Sequence, residues 1–496
     1  MNEVKLYING EIRPSSSGEM VDSIDPSNGE FVAKVHIPST QDLEDAVQAA
    51  KSAFYNKEWR EMTAAQRGEI LLKVSELLKE RKREFIEQEI KDSGSTFRKA
   101  AADLHNTASF FKVMSKVATN FKFEQLDEKA TRAGFSKNTR RYEPVGVCAQ
   151  IIPWNFPLVM AGWKIGPILA TGCTTVLKSA VETPVTAMML AEVLIEAGVP
   201  KGVVNIVTGG AKEGQYLVNH KDIAKVAFTG STAVGREILK QSASEIKNTT
   251  MELGGKSANI VLDDADLDIA VDGALYAFLY HSGQACDSGT RLLVQDGIYD
   301  EFMTKFKERI AKVAIGATPE KTTGFGPVVS EKQFNTIMGY INKTKEEGAK
   351  LIYGGERITE GDFAKGYYIQ PTAFEITPDN TIWHEEIFGP VVGITKFSTE
   401  EEAIKLANNS IYGLAGAVWS KNEERALNIA KEIEAGTVWI NEYHLLNPGM
   451  PFGGFKQSGV GREMGEEGIK AYLEVKHLWE SDCNTREGKM WFDALF

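Results

Sequence analysis

The period of the apolar positions changes sharply along the chain. From Thr40 to Met114 apolar residues recur at helical spacing, most clearly Ile70, Leu71, Val74, Leu77, Leu78, Phe85 and Ile86, which predicts packed amphipathic helices. Thr63-Ala64-Ala65-Gln66 fits a capping box at the start of that stripe. Upstream, the stretch from Leu6 to Glu11 carries the Asn9-Gly10 signal of a hairpin. From Val145 onward, near-continuous apolar runs at 145–152, 174–177, 203–207, 226–228 and 260–262 alternate with helical stretches at 185–197, 232–241 and 267–281. Strands that are apolar on both faces and joined by helices predict an α/β fold whose parallel sheet is covered on both sides. A second α/β region follows from about residue 253 to 454, and the tail returns to a strand-like run at 472–477. Residues 121–142 are mostly polar, unlike their flanks, and read as an exposed hairpin or arm that docks elsewhere.

Composition narrows the field. A chain of 496 residues predicts about three domains, and 43% hydrophobic residues are enough to fill their cores, which excludes disorder as the main state. With 56 Lys+Arg against 68 Asp+Glu, the net charge of −12 argues against nucleic acid as a partner. The longest charge-free run, 144–163, is long enough to span a bilayer, but it contains Pro144, Pro153, Pro157, Gln150 and Asn155. It reads as a buried strand and turn, so no membrane span is expected. The first 16 residues lack the apolar core of a secretory signal, and the expected location is cytoplasmic. The four cysteines form no C-x-x-C pair, and the seven histidines show no metal-ligand spacing, so no metal site is expected.

Four stretches can carry chemistry. In Val226-Ala227-Phe228-Thr229-Gly230-Ser231-Thr232 an apolar strand runs directly into a helix start, where backbone N–H groups and the helix dipole favour an anion such as a pyrophosphate. A strand–turn–helix capped by Ser is also common without any ligand, and the G-x-G-x-x-G fingerprint is absent. Cys286 sits in Ser282-Gly283-Gln284-Ala285-Cys286-Asp287-Ser288-Gly289, the polar and accessible setting that a nucleophilic thiolate needs; a lone Cys can equally be a small buried hydrophobe. In Met251-Glu252-Leu253-Gly254-Gly255-Lys256 a carboxylate follows an apolar strand. It is either a general base raised by burial or a solvated strand end. In Pro153-Trp154-Asn155-Phe156-Pro157 two prolines fix a turn whose Asn amide can donate to a developing oxyanion or simply hold the turn.

Together these stretches resemble the aldehyde dehydrogenase superfamily in order and spacing. Glu385-Glu386-Ile387-Phe388-Gly389-Pro390 and Pro451-Phe452-Gly453-Gly454-Phe455-Lys456-Gln457-Ser458-Gly459 complete the set, and the likeness covers essentially the whole chain. The resemblance implies an NAD(P)-dependent, non-acylating aldehyde dehydrogenase. Cys286 would form a thiohemiacetal and then a thioester, Asn155 and the Cys286 N–H would hold the oxyanion, and Glu252 would activate the hydrolytic water. CoA-acylating relatives usually lack that Glu, so its presence favours hydrolysis.

Cofactor contacts carry over to Trp154, Lys178, Gly210, Gly230, Ser231, Leu253, Glu386 and Phe388, and pocket positions to Trp163, Tyr280 and Asp287. The implied architecture is a Rossmann-like cofactor domain (1–120 and 143–252), an α/β catalytic domain (253–455) and a small β oligomerisation element with the tail (121–142 and 456–496). A homodimer or homotetramer follows from the likeness.

Two departures from the family pattern stand out. At Lys178-Ser179-Ala180-Val181-Glu182 the usual ribose-binding Glu position is Val181, which removes one term against a 2′-phosphate. The expectation is NAD as cofactor with NADP tolerated. Asp287 follows the nucleophile where relatives often carry Cys, Thr or Ser. It either steers cationic aldehydes or is a hydrogen-bonded Asp turned away from the tunnel.

Overall fold

The computed structural model describes residues 2–127, 136–316, 320–481, 483 and 485–495. Two large sheets organise them. In the eight-stranded first sheet, five neighbouring strands run parallel in the spatial order Asn248–Glu252, Lys225–Thr229, Val147–Ile151, Thr174–Ser179, Val204–Thr208. Alternate residues feed opposite cores, as the period of a strand requires. Leu177 and Ile206 pack with Leu71, Phe110 and Ile165, whereas Val176 and Val207 pack with Val47, Leu217 and Ile238. Burial on both faces explains why these strands read as continuous apolar runs.

The chain leaves Val147–Ile151 toward Thr174–Ser179 and Val204–Thr208, then crosses back to Lys225–Thr229 on the other side. Such a reversal opens a crevice at the carboxyl ends of the strands on either side of it.

The second sheet has seven strands: Lys350–Tyr353, Thr372–Glu375, Val391–Phe397, Arg291–Gln295, Ala258–Val261, Ala415–Trp419 and Thr437–Ile440. All but the first are parallel. The segment around Ser458 joins the edge of the first sheet to a small two-stranded sheet whose strand Tyr412–Gly413 leads into Ala415–Trp419 of the second sheet. Gly459 and Val460 pair with Glu252 and Met251, Phe455–Lys456 pairs with Tyr412–Gly413, and the Ser458 hydroxyl donates to the Gly254 carbonyl at 2.6 Å.

Local signals appear as physical features. Asn9 (φ 52°) and Gly10 (φ 80°) are both left-handed between the paired strands Leu6–Ile8 and Glu11–Arg13, as a two-residue hairpin turn needs. The Thr63 hydroxyl accepts from the Gln66 N–H at 3.3 Å while the Gln66 side chain accepts from the Thr63 N–H at 2.9 Å. The helix expected over 267–281 stops at Leu279 and gives way to a tight turn over Tyr280–Gly283.

In the third sheet Ser136–Pro144 lies between Glu124–Asp127 and Leu473–Ser481. Residues 128–135 of the expected arm lie outside the described residues. The tail strand extends past its apolar signal because pairing with Ser136–Pro144, not burial, sets its length. Among the described residues no helix is long and apolar enough to cross a membrane.

Candidate active site

Cys286 lies between the Tyr280–Gly283 turn and the strand Arg291–Gln295. The turn holds three consecutive left-handed residues, His281 (φ 51°), Ser282 (φ 55°) and Gly283 (φ 74°). Backbone of this kind persists only where its surroundings over-determine it. Here the Ser282 hydroxyl donates to the Gly326 carbonyl at 2.8 Å. The Cys286 side chain stays partly accessible and lines a cavity of about 110 Å³.

Glu252 ends its strand, is 4% exposed and lines the same cavity. Neither of its oxygens is hydrogen-bonded to another residue. Burial, reinforced by the Glu463 carboxylate, pushes Glu252 well above the usual carboxylate range, against the pull of Lys164 and Arg462. Burial also pushes the Cys286 thiol up, with the charges of Asp287, Glu386 and Glu252 adding to it. The glycine pair after Glu252 permits the close approach: a β-carbon on Gly255 would lie 2.3 Å from the Cys286 carbonyl oxygen, and one on Gly254 would lie 2.2 Å from a Glu386 carboxylate oxygen.

Asn155 sits in the turn just before the helix Pro157–Thr171 and is 4% exposed. Its Nδ2 donates to the carbonyl of Gln284, two residues before Cys286, at 2.8 Å. Since an amide carries two N–H groups, one remains for a further acceptor.

The expected cofactor positions collect past the carboxyl ends of the parallel strands. Register aligns Ile151 with Lys178 and Phe228, and Thr229 with Glu252. The buried Lys178 ammonium donates to the Ser179 and Gly209 carbonyls, and burial lowers its pKa to about 8. Gly210 caps the helix Ala211–Asn219, and its N–H donates to Glu213 at 2.7 Å. The Gly230 N–H donates to the Glu252 carbonyl at 3.0 Å, while Ser231 caps the helix Thr232–Ser242. Leu253 packs against Gly235, where a β-carbon would come within 2.5 Å of it. From the loop that leads into the second-sheet strand Val391–Phe397 come Glu386, which accepts from the Gly255 N–H at 3.0 Å and is pushed up to about 7 by burial, and Phe388, whose ring meets Trp154 edge-on at 5.3 Å.

Trp163, Tyr280 and Asp287 all line the cavity. Trp163 packs against Phe452 with ring centroids 5.5 Å apart, and Tyr280 stacks on Phe156 at 6.1 Å. Asp287 borders the cavity and also meets His444, its Oδ1 lying 3.2 Å from Nδ1.

Sequence reasoning passed over two buried ion pairs beside these groups. Lys164 pairs with Glu463, which lines the cavity next to Glu252. The available signal was that Lys164 is the charge ending the long charge-free run, in an otherwise apolar helix. Lys99 pairs with Asp103, also on the cavity wall, at 2.7 Å. Their i,i+4 spacing looks like an ordinary surface pair. Among the described residues no group of three or more His, Cys, Asp or Glu is arranged to hold a metal ion.

The profile of the Aldehyde dehydrogenase family matches residues 12–478. An aldehyde dehydrogenase of Emericella nidulans is 45% identical over 474 residues, which cover 95% of this chain and 94% of that protein. The structure of the NAD+ complex of an aldehyde dehydrogenase from Bacillus cereus superposes with a TM-score of 0.93 at 43% identity over 97% of each chain. The crystal structure of betaine aldehyde dehydrogenase from Staphylococcus aureus with NAD+ gives 0.94 at 38% identity over 97% of this chain and 95% of that one. This chain therefore belongs to the aldehyde dehydrogenase family and is an NAD(P)-dependent aldehyde dehydrogenase.

Proposed function

We propose that the enzyme oxidises an aldehyde to its carboxylic acid by covalent catalysis at Cys286. The observation that carries this reading is that Cys286 and Glu252 line one cavity while Asn155 is hydrogen-bonded to the loop bearing Cys286. The Cys286 sulfur attacks the carbonyl carbon, and the carbonyl oxygen takes up the negative charge. The free Asn155 N–H and the Cys286 backbone N–H stabilise it, and each such donor typically contributes ~10²–10³ in rate. Collapse of the thiohemiacetal expels a hydride and leaves a thioester. Glu252 removes a proton from water, which attacks the thioester carbon and releases the acid and the thiol.

NAD(P)+ supplies the hydride acceptor. The residues fit a dinucleotide: a capped helix start at Gly230 and Ser231 for the pyrophosphate, Lys178 toward the adenosine ribose, Gly210 beneath the adenine side, Glu386 and Phe388 toward the nicotinamide ribose, Trp154 in the pocket wall and the Leu253 carbonyl toward the nicotinamide carboxamide. With Val181 in place of a ribose-binding carboxylate, both cofactors are reduced, NAD+ faster. The expected ratio of kcat/KM for NADP+ to that for NAD+ lies above about 10⁻³, roughly 4 kcal/mol of discrimination. Following the reduced cofactor's absorbance with aldehyde and each cofactor checks this. No cofactor reduction with any aldehyde would leave only a thiol esterase and remove the reading.

A second reading concerns the substrate. Four carboxyl groups line the cavity: Asp103 and Glu463 are paired with Lys99 and Lys164, burial favours the neutral form of Glu252, and Asp287 has no Lys or Arg partner; among the described residues no Lys or Arg lines the cavity. The rest of the wall is largely apolar, including Phe110, Phe156, Trp163 and Phe452. Neutral and cationic aldehydes are therefore favoured over aldehydes that carry a carboxylate. Asp287→Thr is expected to lower kcat/KM for an amino-aldehyde about tenfold relative to an uncharged aldehyde of equal length, about 1.4 kcal/mol of lost attraction. Unchanged relative rates would remove any steering by Asp287.

We further propose a cytoplasmic homo-oligomer. Four free thiols support a reducing compartment. The tail strand Leu473–Ser481 is an edge strand exposing Val475 and Trp479, a surface suited to pairing with a second copy in a dimer or tetramer.

A further inference from the structure

Lys99 is 2% exposed, yet it carries a charge deep inside the cofactor-side core. Burying an ammonium costs several kcal/mol unless its partners are well placed. Its partners come from separate elements. Asp103 lies one turn further along the helix Phe97–Asn120, at 2.7 Å. Glu89, on the helix Lys82–Ser93, lies at 3.5 Å and is itself held by the Thr186 hydroxyl from the helix Val185–Glu196, at 2.6 Å. The remaining contact is a hydrogen bond from Nζ to the main-chain carbonyl of Asn155, at 3.0 Å. The ammonium also sits over the ring of Phe156, 4.5 Å from its centroid.

Asn155 is thus gripped at two ends. Its carbonyl is fixed by Lys99, and its side-chain amide by the Gln284 carbonyl. With both ends held, the direction of the second amide N–H is set by the helices that anchor Lys99. We propose that Lys99 is a positioning residue for Asn155, tethering the oxyanion-binding turn to the helical layer. This rests on the reading of Asn155 as an oxyanion donor. The chemistry gives the tether leverage: an oxyanion donor works only within about 2.7–3.1 Å of the oxygen, and displacement by about 1 Å can cost ~10²-fold in rate.

The test is a double-mutant cycle on the full-length enzyme, reading kcat, aldehyde KM and the dissociation constant for NAD+. Lys99→Met is expected to lower kcat ~10–100-fold, with NAD+ binding unchanged. Lys99→Gln, which keeps an N–H donor for the Asn155 carbonyl, retains more of kcat than Lys99→Met. In an Asn155→Ala background, Lys99→Met costs less than about threefold, because the group it positions is gone. If Lys99→Met does not fold, Lys99→Gln replaces it in the cycle. A crippled Asn155→Ala enzyme in which the Lys99 substitution costs its full factor again overturns the tether alone. So does a Lys99 substitution that raises aldehyde KM and leaves kcat intact. An Asn155→Ala enzyme with parental kcat overturns the oxyanion reading and the tether with it.

Discussion

Replacing Cys286 by Ala is expected to lower kcat for aldehyde-dependent NAD+ reduction below about 10⁻⁴ of the parental value. No other thiol can stand in. Cys148 and Cys173 are fully buried in the first sheet's core, and Cys483 lies in the tail. The methyl group leaves the cavity and the backbone N–H in place, so NAD+ is expected to raise the thermal midpoint of the variant and of the parent alike. That combination separates loss of chemistry from loss of fold. A Cys286→Ala protein that still reduces the cofactor at the parental rate would mean the hydride comes from an adduct this account does not contain.

The second large effect belongs to Glu252. Glu252→Gln keeps the shape and removes the base, so acylation proceeds and deacylation stalls. The expected record is a stoichiometric burst of reduced cofactor followed by a steady rate ~10²–10⁴-fold below the parent's, the usual contribution of a general base. The pH dependence follows from the raised Glu252 value. Only the carboxylate form accepts a proton from water, and burial beside Glu463 favours the neutral acid. Parental deacylation therefore climbs as pH rises through that elevated value and falls away below it, whereas the variant lacks this limb. Removing the Glu252 charge also relieves one of the carboxylates that oppose ionisation of Cys286, so the variant's thiol titrates at lower pH than the parent's. A variant with a full steady rate would pass the base role to another group.

The features legible in the sequence are those made by neighbours along the chain or by one-sided burial. The Asn9-Gly10 turn, the Thr63 cap and the apolar runs ending at Ile151, Thr229 and Glu252 need no knowledge of what lies across the molecule. Asn155, Ser231 and Glu252 stand at or just past the ends of such runs, Cys286 stands out by its polar neighbours, and the remaining cofactor and pocket positions follow from the family resemblance.

What escaped the sequence depends on distant partners. Lys164 and Glu463 are 299 residues apart, and Lys99 and Asn155 are 56 apart. A lysine gives no sign in its own neighbourhood that a carboxylate will be folded against it. Asp287 shows the same limit. Its place after the nucleophile was visible, but not that His444, in a left-handed backbone conformation, would close on it from another loop. The early end of the helix at Leu279 was also hidden, because the left-handed His281 and Ser282 are stabilised by contacts such as that to Gly326 and not by local propensity.

Whether a carbon–sulfur bond forms at one named position can be read directly by mass. Glu252→Gln enzyme would be mixed with aldehyde and NAD+, quenched in acid during the burst, digested and analysed by peptide mass spectrometry. The predicted product is the peptide containing Cys286 heavier by the aldehyde's mass less two hydrogens, at one adduct per reduced cofactor released. Stoichiometric cofactor reduction with that peptide unmodified, or with the acyl group on a different residue, would contradict the account.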